Sequence, residues 1–146
     1  MHIDRYHLSA DKDLFFFEFV SIGPKGRIAK VIQFTLTATE GIYNLALGDK
    51  SGSTKKIDFL VVSDNHDSEK VLATVVSAIY AFTDWHRDAW VFAEGNTVAR
   101  ARLYRMGISK HLEKALEDFF ILGQINGVWE PFIIGRNYKA FVVKRK

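Results

Sequence analysis

The chain has 146 residues, a length that suits one ordinary domain with a hydrophobic core, so we expect a single domain over residues 1–146. It contains no cysteine, which excludes disulfides, thiol catalysis and cysteine-based zinc sites. The net charge is a mild +3, and no apolar run approaches the roughly 18 to 20 residues that a membrane-spanning helix needs. The first residues do not resemble a secretory signal. We therefore predict a cytoplasmic protein without a membrane partner.

The first half of the sequence predicts an antiparallel meander of four short strands. Period-two alternation places Phe15, Phe17 and Phe19 on one face of the first strand. Tight turns between the strands favour antiparallel neighbours, because parallel neighbours need crossovers of a dozen residues or more. We expect one face of the sheet to be core and the other to meet water or a ligand. The strands are predicted over residues 14–22, 27–37, 42–47 and 57–62.

The second half predicts helices first and strands at the end. Apolar residues recur at helical spacing over 68–84, which indicates a long helix laid on the sheet. A strand over 89–93 leads to a helical region that we expect to break at Gly107, restart at Ser109 and end near Gly123. Final strands are predicted over 128–134 and 139–143. The fold class is therefore α+β: a four-stranded antiparallel meander, a long helix, then a strand, a helical segment and C-terminal strands.

A helix start beside three arginines is the strongest candidate for binding. Asn96 or Thr97 can cap the helix, and the free amides of a first helical turn attract anions. At 100° per residue, Arg102 and Arg105 lie about 60° apart, whereas Arg100 points nearly to the opposite side. Arginine binds phosphate in a bidentate manner. Alternatively, these side chains pair with carboxylates or cover apolar surface, and this alternative is favoured for Arg100.

The end of the chain supplies further cations. Residues 136–146 contain Arg136, Lys139 and three later basic residues without any acid, which predicts attraction to a polyanion or a solubilising tail. Tyr138 lies within this basic segment and could stack on a base. Most other tyrosines and tryptophans lie in apolar segments, where we expect core packing. The predicted nucleic-acid or phosphate site comprises Asn96, Thr97, Arg100, Arg102, Arg105, Arg136, Tyr138 and Lys139.

Catalysis has no positive support in the sequence. The five histidines lack the paired helical spacing of metal-dependent hydrolases, so no metal site is predicted. No nucleophile elbow, Walker loop or glycine-rich dinucleotide loop is present. We therefore predict no catalytic residues and no cofactor.

Four segments together resemble a family of small bacterial proteins of unknown function. They are residues 26–30, 43–50, 70–75 and, above all, Gly95-Asn96-Thr97-Val98-Ala99-Arg100-Ala101-Arg102-Leu103-Tyr104. The resemblance spans nearly the whole chain. It implies that the arginine-bearing stretch matters, and it transfers no catalytic residues.

Two further resemblances imply different functions. The order of four strands and a long helix is similar to the unit of Whirly and purine-rich-element-binding regulators, in which a curved sheet binds single-stranded DNA and two units associate. Asn96, Tyr104 and Gly107-Ile108 resemble the closing signature of GNAT acetyltransferases, although the tyrosine falls one residue late and no loop for the acetyl-CoA pyrophosphate is present.

Three hypotheses for function follow from these patterns. The first is binding of single-stranded DNA or RNA through a basic, partly aromatic surface. The second is a protein-interaction module, either a homodimer or a toxin–antitoxin-like partner. The third is acyl transfer of the GNAT type.

Overall fold

A mixed sheet of nine strands runs through the computed structural model, which describes residues 4–51, 56–59, 64–95 and 97–146. The strands are β1 Ser9–Ala10, β2 Phe16–Gly23, β3 Gly26–Leu36, β4 Ile42–Lys50, β5 Ile57–Asp58, β6 Trp90–Glu94, β7 Phe119–Ile125, β8 Val128–Pro131 and β9 Ala140–Arg145. The helices are α1 Ser68–Trp85, α2 Val98–Lys110 and α3 Leu112–Asp118.

The strand order is β1-β2-β3-β4-β6-β9-β7-β8, and β5 pairs with the end of β4. Strands β2 to β5 correspond to the predicted antiparallel meander, and β1 is an additional short strand that pairs with β2. Helix α1 then crosses to β6, which pairs with β4 in parallel. The last strand, β9, lies inside the sheet between β6 and β7. The predicted α+β class and order of elements are confirmed.

The core lies between the sheet and the helices. Phe82 of α1 stacks on Phe34 of β3 with ring centroids 4.2 Å apart and nearly parallel planes. Phe17 and Phe19 are buried on the same side, as their alternation predicts. Alternate strand residues therefore face the helices.

Two predicted boundaries were wrong. Helix α2 continues through Gly107 to Lys110. Gly107 does not end the helix but lies where α2 meets α1: a Cβ there would lie 1.7 Å from Leu72 Cδ2, so glycine allows the two helices to approach. The helix predicted to reach Gly123 ends at Asp118 instead, and the following residues form β7. Pairing of this apolar run with β8 and β9 outweighs its helical periodicity.

Other predictions are shifted or lie partly outside the described residues. Strand β4 extends to Lys50, three residues beyond its predicted end. The predicted strand over 57–62 is described only as far as Phe59. One domain over 1–146 stays a prediction.

Candidate nucleic-acid interface

All three helices in the described ranges pack on one face of the sheet. Phe34 and Tyr43 contact α1, Tyr104 of α2 contacts Phe141, and Ala115 of α3 joins the same cluster. The intervening strand residues point to the opposite side. We call that side the open face, because the described part of the chain places no helix on it.

Four aromatic side chains come together on the open face. The register aligns Trp90 with Lys144 and Lys144 with Phe120, so all three point to the same side. Phe92 lies two residues beyond Trp90, and its ring centroid is 6.1 Å from that of Trp129. Phe120 keeps 51% of its surface exposed. We name Trp90, Phe92, Phe120 and Trp129 the aromatic patch.

Polar groups border the aromatic patch. Asn44 and Gln124 pair with patch residues on neighbouring strands, which places both amides on the open face. Lys144 lies between two patch residues, and Lys146 Nζ is 5.4 Å from the centroid of the Phe120 ring. Glu94 is on the same face at the far end of β6. The immediate surroundings of the patch are therefore polar and weakly cationic.

The segment around β5 covers the middle of the open face. A Cβ at Gly48 would lie 2.8 Å from side-chain atoms of Ile57 and Phe59, so glycine allows this segment to approach the sheet. Val31 pairs with Gly48 and is fully buried, although it points to the open face. The aromatic patch lies beyond this segment, on β6, β7 and β8.

The predicted helix cap is formed by Thr97. Its Oγ1 accepts a hydrogen bond from the backbone N–H of Arg100 at 3.1 Å, and α2 begins at the next residue. The other predicted capping residue, Asn96, lies outside the described residues.

Arg100 is buried, and its guanidinium lies against the backbone of β4 and the residue after β5 rather than in solvent. Its Nη1 donates to the backbone carbonyls of Leu47, at 2.6 Å, and Phe59, at 3.1 Å. It lines a cleft of about 80 Å³ together with Glu94 and Tyr104. Burial raises the pKa of the Tyr104 hydroxyl, and the nearby guanidinium of Arg100 opposes that shift. In this position Arg100 joins α2 to the β4–β5 region.

Arg105 and Tyr138 also act inside the protein. Arg105 Nη1 donates to the carbonyl oxygen of Tyr138 at 2.9 Å. The ring of Tyr138 is fully buried, and its hydroxyl donates to Glu130 Oε2 at 2.7 Å. Burial raises the pKa of Tyr138, and the hydrogen bond to the Glu130 carboxylate raises it further. Neither face of the Tyr138 ring is therefore available to a base.

Three predicted cations remain on the surface. Arg102 and Lys139 are exposed and make no ion pair or hydrogen bond through their side chains within the described residues. Arg136 is exposed, and its Nε lies 3.0 Å from Glu130 Oε2. The backbone N–H of Gly95 donates to the carbonyl of Lys139, which joins the start of the α2 region to the start of β9.

Residues 140–145 of the predicted basic tail form strand β9. Arg145 is mostly buried in β9, where Nη2 lies 2.8 Å from Asp84 Oδ1 and the guanidinium lies 5.0 Å from the centroid of the Tyr80 ring. Arg145 therefore links β9 to α1.

The aromatic patch was only partly anticipated. Trp90 and Trp129 are among the tryptophans whose apolar surroundings favour core positions, and no stacking role is predicted for Phe92 or Phe120. Strand alternation could have identified the patch: Val91 is buried, so Trp90 and Phe92 on either side of it must point to the opposite face of the sheet. That signal becomes decisive only when the helices are known to share one face.

Comparison with known families gives one match. A family of unknown function matches residues 2–146. The chain belongs to this family, DUF6934. No curated protein and no solved structure matches the chain. The predicted resemblance to an uncharacterised family is confirmed, whereas the likeness of this DUF6934 chain to Whirly proteins stays a prediction.

Two further observations concern the described ranges alone. None of their helices is long and apolar enough to cross a membrane. They bring together no group of three or more His, Asp or Glu side chains that could hold a metal ion.

Proposed function

We propose that this DUF6934 protein binds single-stranded nucleic acid on its open face. The supporting observation is the aromatic patch, which borders amides and Lys144 on a side of the sheet without a described helix. Bases stack on exposed aromatic rings with little sequence preference, at about 1 to 3 kcal/mol per base. Sheet-borne aromatics and amides are also the means by which common RNA-binding modules hold unpaired bases.

Phosphate contacts are assigned to cations at both ends of β9. Lys144 and Lys146 lie at its C-terminal end, and Lys139 precedes its N-terminal end. Because these cations are few, binding is expected to be micromolar and to weaken with salt. From the predicted set, the proposal keeps Arg136 and Lys139, whereas Arg102 belongs to α2, which packs on the opposite face of the sheet. The proposal also leaves out Arg100, Arg105 and Tyr138, whose polar groups are engaged inside the protein.

Fluorescence anisotropy of labelled oligonucleotides at several salt concentrations tests the proposal. We expect the protein to prefer single strands to duplexes, because stacking requires unpaired bases. Each lost phosphate contact lowers the salt slope by about 0.7 for single strands, so a Lys139→Gln/Lys144→Gln variant should lower it by about 1.4. A Lys110→Gln/Lys114→Gln variant, which removes two exposed cations on the helices, is the matched control. Absence of binding to any oligonucleotide would refute the proposal.

A protein partner on the same surface predicts a different result. Apolar surfaces poor in charge associate through burial, so their complexes survive moderate salt. A complex that persists in high salt and after nuclease treatment would favour the protein-interaction hypothesis over the nucleic-acid hypothesis.

One observation favours acyl transfer as a second candidate. Strands β4 and β6 pair in parallel only as far as Leu45 and Ala93. The cleft of about 80 Å³ that Tyr104 lines lies at the carboxyl ends of these paired segments. Ligands commonly bind at the carboxyl ends of parallel strands. Arg100 and Phe59 also line this cleft. Acetyl-CoA binding should raise the melting temperature of a competent enzyme, so absence of a thermal shift would dismiss this candidate.

A further inference from the structure

The two edges of the described sheet differ in protection. Strand β1 has only two residues, and exposed Asp11, Lys12 and Asp13 follow it. Charges and short strands of this kind prevent pairing with another chain. At the other edge, β8 carries exposed Val128 and Trp129, and no described strand pairs with its outer side.

The charge on β8 is neutralised within the chain. Glu130 is bound by the Tyr138 hydroxyl at 2.7 Å and by Arg136 Nε at 3.0 Å. The neighbouring loop adds exposed Ile133 and Ile134. Pro131, at the end of β8, is the one residue of this strand without a backbone N–H to donate. This edge is therefore apolar and without a free charge of its own.

The hydrogen-bond pattern shows which groups of β8 face outward. Phe132 N–H donates to the carbonyl of Ile121 at 3.1 Å, so Phe132 belongs to a hydrogen-bonded pair with β7. Such pairs alternate along an antiparallel ladder, so the backbone N–H and C=O groups of Val128 and Glu130 point toward β7. The N–H and C=O of Trp129 consequently point away from the sheet.

We propose that a second copy of this chain pairs with β8 through a two-fold axis at Trp129. Identical antiparallel strands are self-complementary about such an axis, and the two Trp129 residues would exchange both backbone hydrogen bonds. The pairing closes with two copies and joins their sheets edge to edge. This inference does not depend on nucleic-acid binding.

The exposed apolar area at this edge approaches the apolar area of a standard dimer interface. Half-exposed side chains of this size offer roughly 100 Å² each, so those of Val128, Trp129, Ile133 and Ile134 supply about 400 Å² per copy. A standard interface buries about 800 Å² per partner, of which roughly 450 Å² is apolar. The four side chains therefore supply most of the apolar surface that a second copy would bury.

Sedimentation over a wide concentration range tests the proposal. The wild-type chain should give twice its mass of 16.7 kDa. Val128 is 62% exposed, so Val128→Lys should preserve the fold while raising the dissociation constant of the dimer by about tenfold or more. Val98→Lys is the matched control, because Val98 is 82% exposed on α2 and should leave the dimer intact.

Hydrogen exchange at the Trp129 amide supplies a second readout. In a dimer paired at β8 this amide is protected, and Val128→Lys removes the protection. A monomer at all concentrations would overturn the proposal. A dimer in which Val128→Lys has no effect, or in which the Trp129 amide exchanges rapidly, would overturn it as well.

Discussion

The guanidinium of Arg100 lies 2.6 Å from the backbone carbonyl oxygen of Leu47, 53 residues earlier in the chain. Replacing Arg100 with Met keeps an apolar stem but leaves the carbonyls of Leu47 and Phe59 without this donor. We expect Arg100→Met to lower the free energy of unfolding by about 2 to 4 kcal/mol. Urea denaturation measures this loss.

Arg102→Met is the matched control for that measurement. Arg102 is exposed, and its substitution should change the free energy of unfolding by no more than about 0.5 kcal/mol. Equal effects of the two substitutions would contradict the structural role assigned to Arg100.

The hydroxyl of Tyr138 is expected to stabilise the fold without contributing to ligand binding. It bonds Glu130 and the backbone N–H of Ile133, so Tyr138→Phe should lower the free energy of unfolding by about 1 to 2 kcal/mol. Tyr43→Phe is the control, since the Tyr43 hydroxyl makes no hydrogen bond within the described residues. A loss of oligonucleotide affinity in Tyr138→Phe, with stability intact, would contradict this role.

Gly123 is expected to tolerate no side chain. A Cβ at Gly123 would lie 2.5 Å from ring atoms of Tyr138, and the buried ring has little room to move. Gly123→Ala should therefore lower the free energy of unfolding by about 1 to 3 kcal/mol, measured by thermal or urea denaturation. An unchanged stability would show that the ring can shift.

Alkaline pH should destabilise the protein through Tyr80. Burial and the bond to Asp118 raise the pKa of Tyr80 from 10.0 to about 12. The unfolded chain therefore loses this proton first, so the contribution of Tyr80 is complete below pH 10 and is lost as pH rises from 10 through 12. Tyr80→Phe should reduce the slope of stability against pH in that range. An unchanged slope would mean that other groups dominate.

Much of the fold was predictable because it depends on local patterns. Period-two alternation gave the strands that became β2 and β3, and helical spacing gave α1 to within one residue of its end. The segment that became β7 was not predictable in this way. Its apolar spacing also fits a helix, and only pairing with β9, which follows it in sequence, decides the outcome.

The candidate site was harder to predict because side-chain roles depend on distant partners. Helical spacing already favours a structural role for Arg100 over Arg102, but the carbonyls that Arg100 bonds, those of Leu47 and Phe59, are distant in sequence and could not be predicted. Tyr138 looks like part of a basic tail, but its ring fills the space above Gly123. The open face itself follows from the placement of all three helices on one side.

The central claim is that the aromatic patch holds unpaired bases, and Phe120→Ala tests it most directly. Phe120 is 51% exposed, so its removal should spare the fold. The matched control is Trp85→Ala, because Trp85 is 69% exposed at the end of α1, which packs on the opposite side of the sheet. In anisotropy titrations with a single-stranded oligonucleotide, we expect Phe120→Ala to weaken binding about tenfold and Trp85→Ala to leave it unchanged. Equal affinities of wild type and Phe120→Ala would contradict the claim.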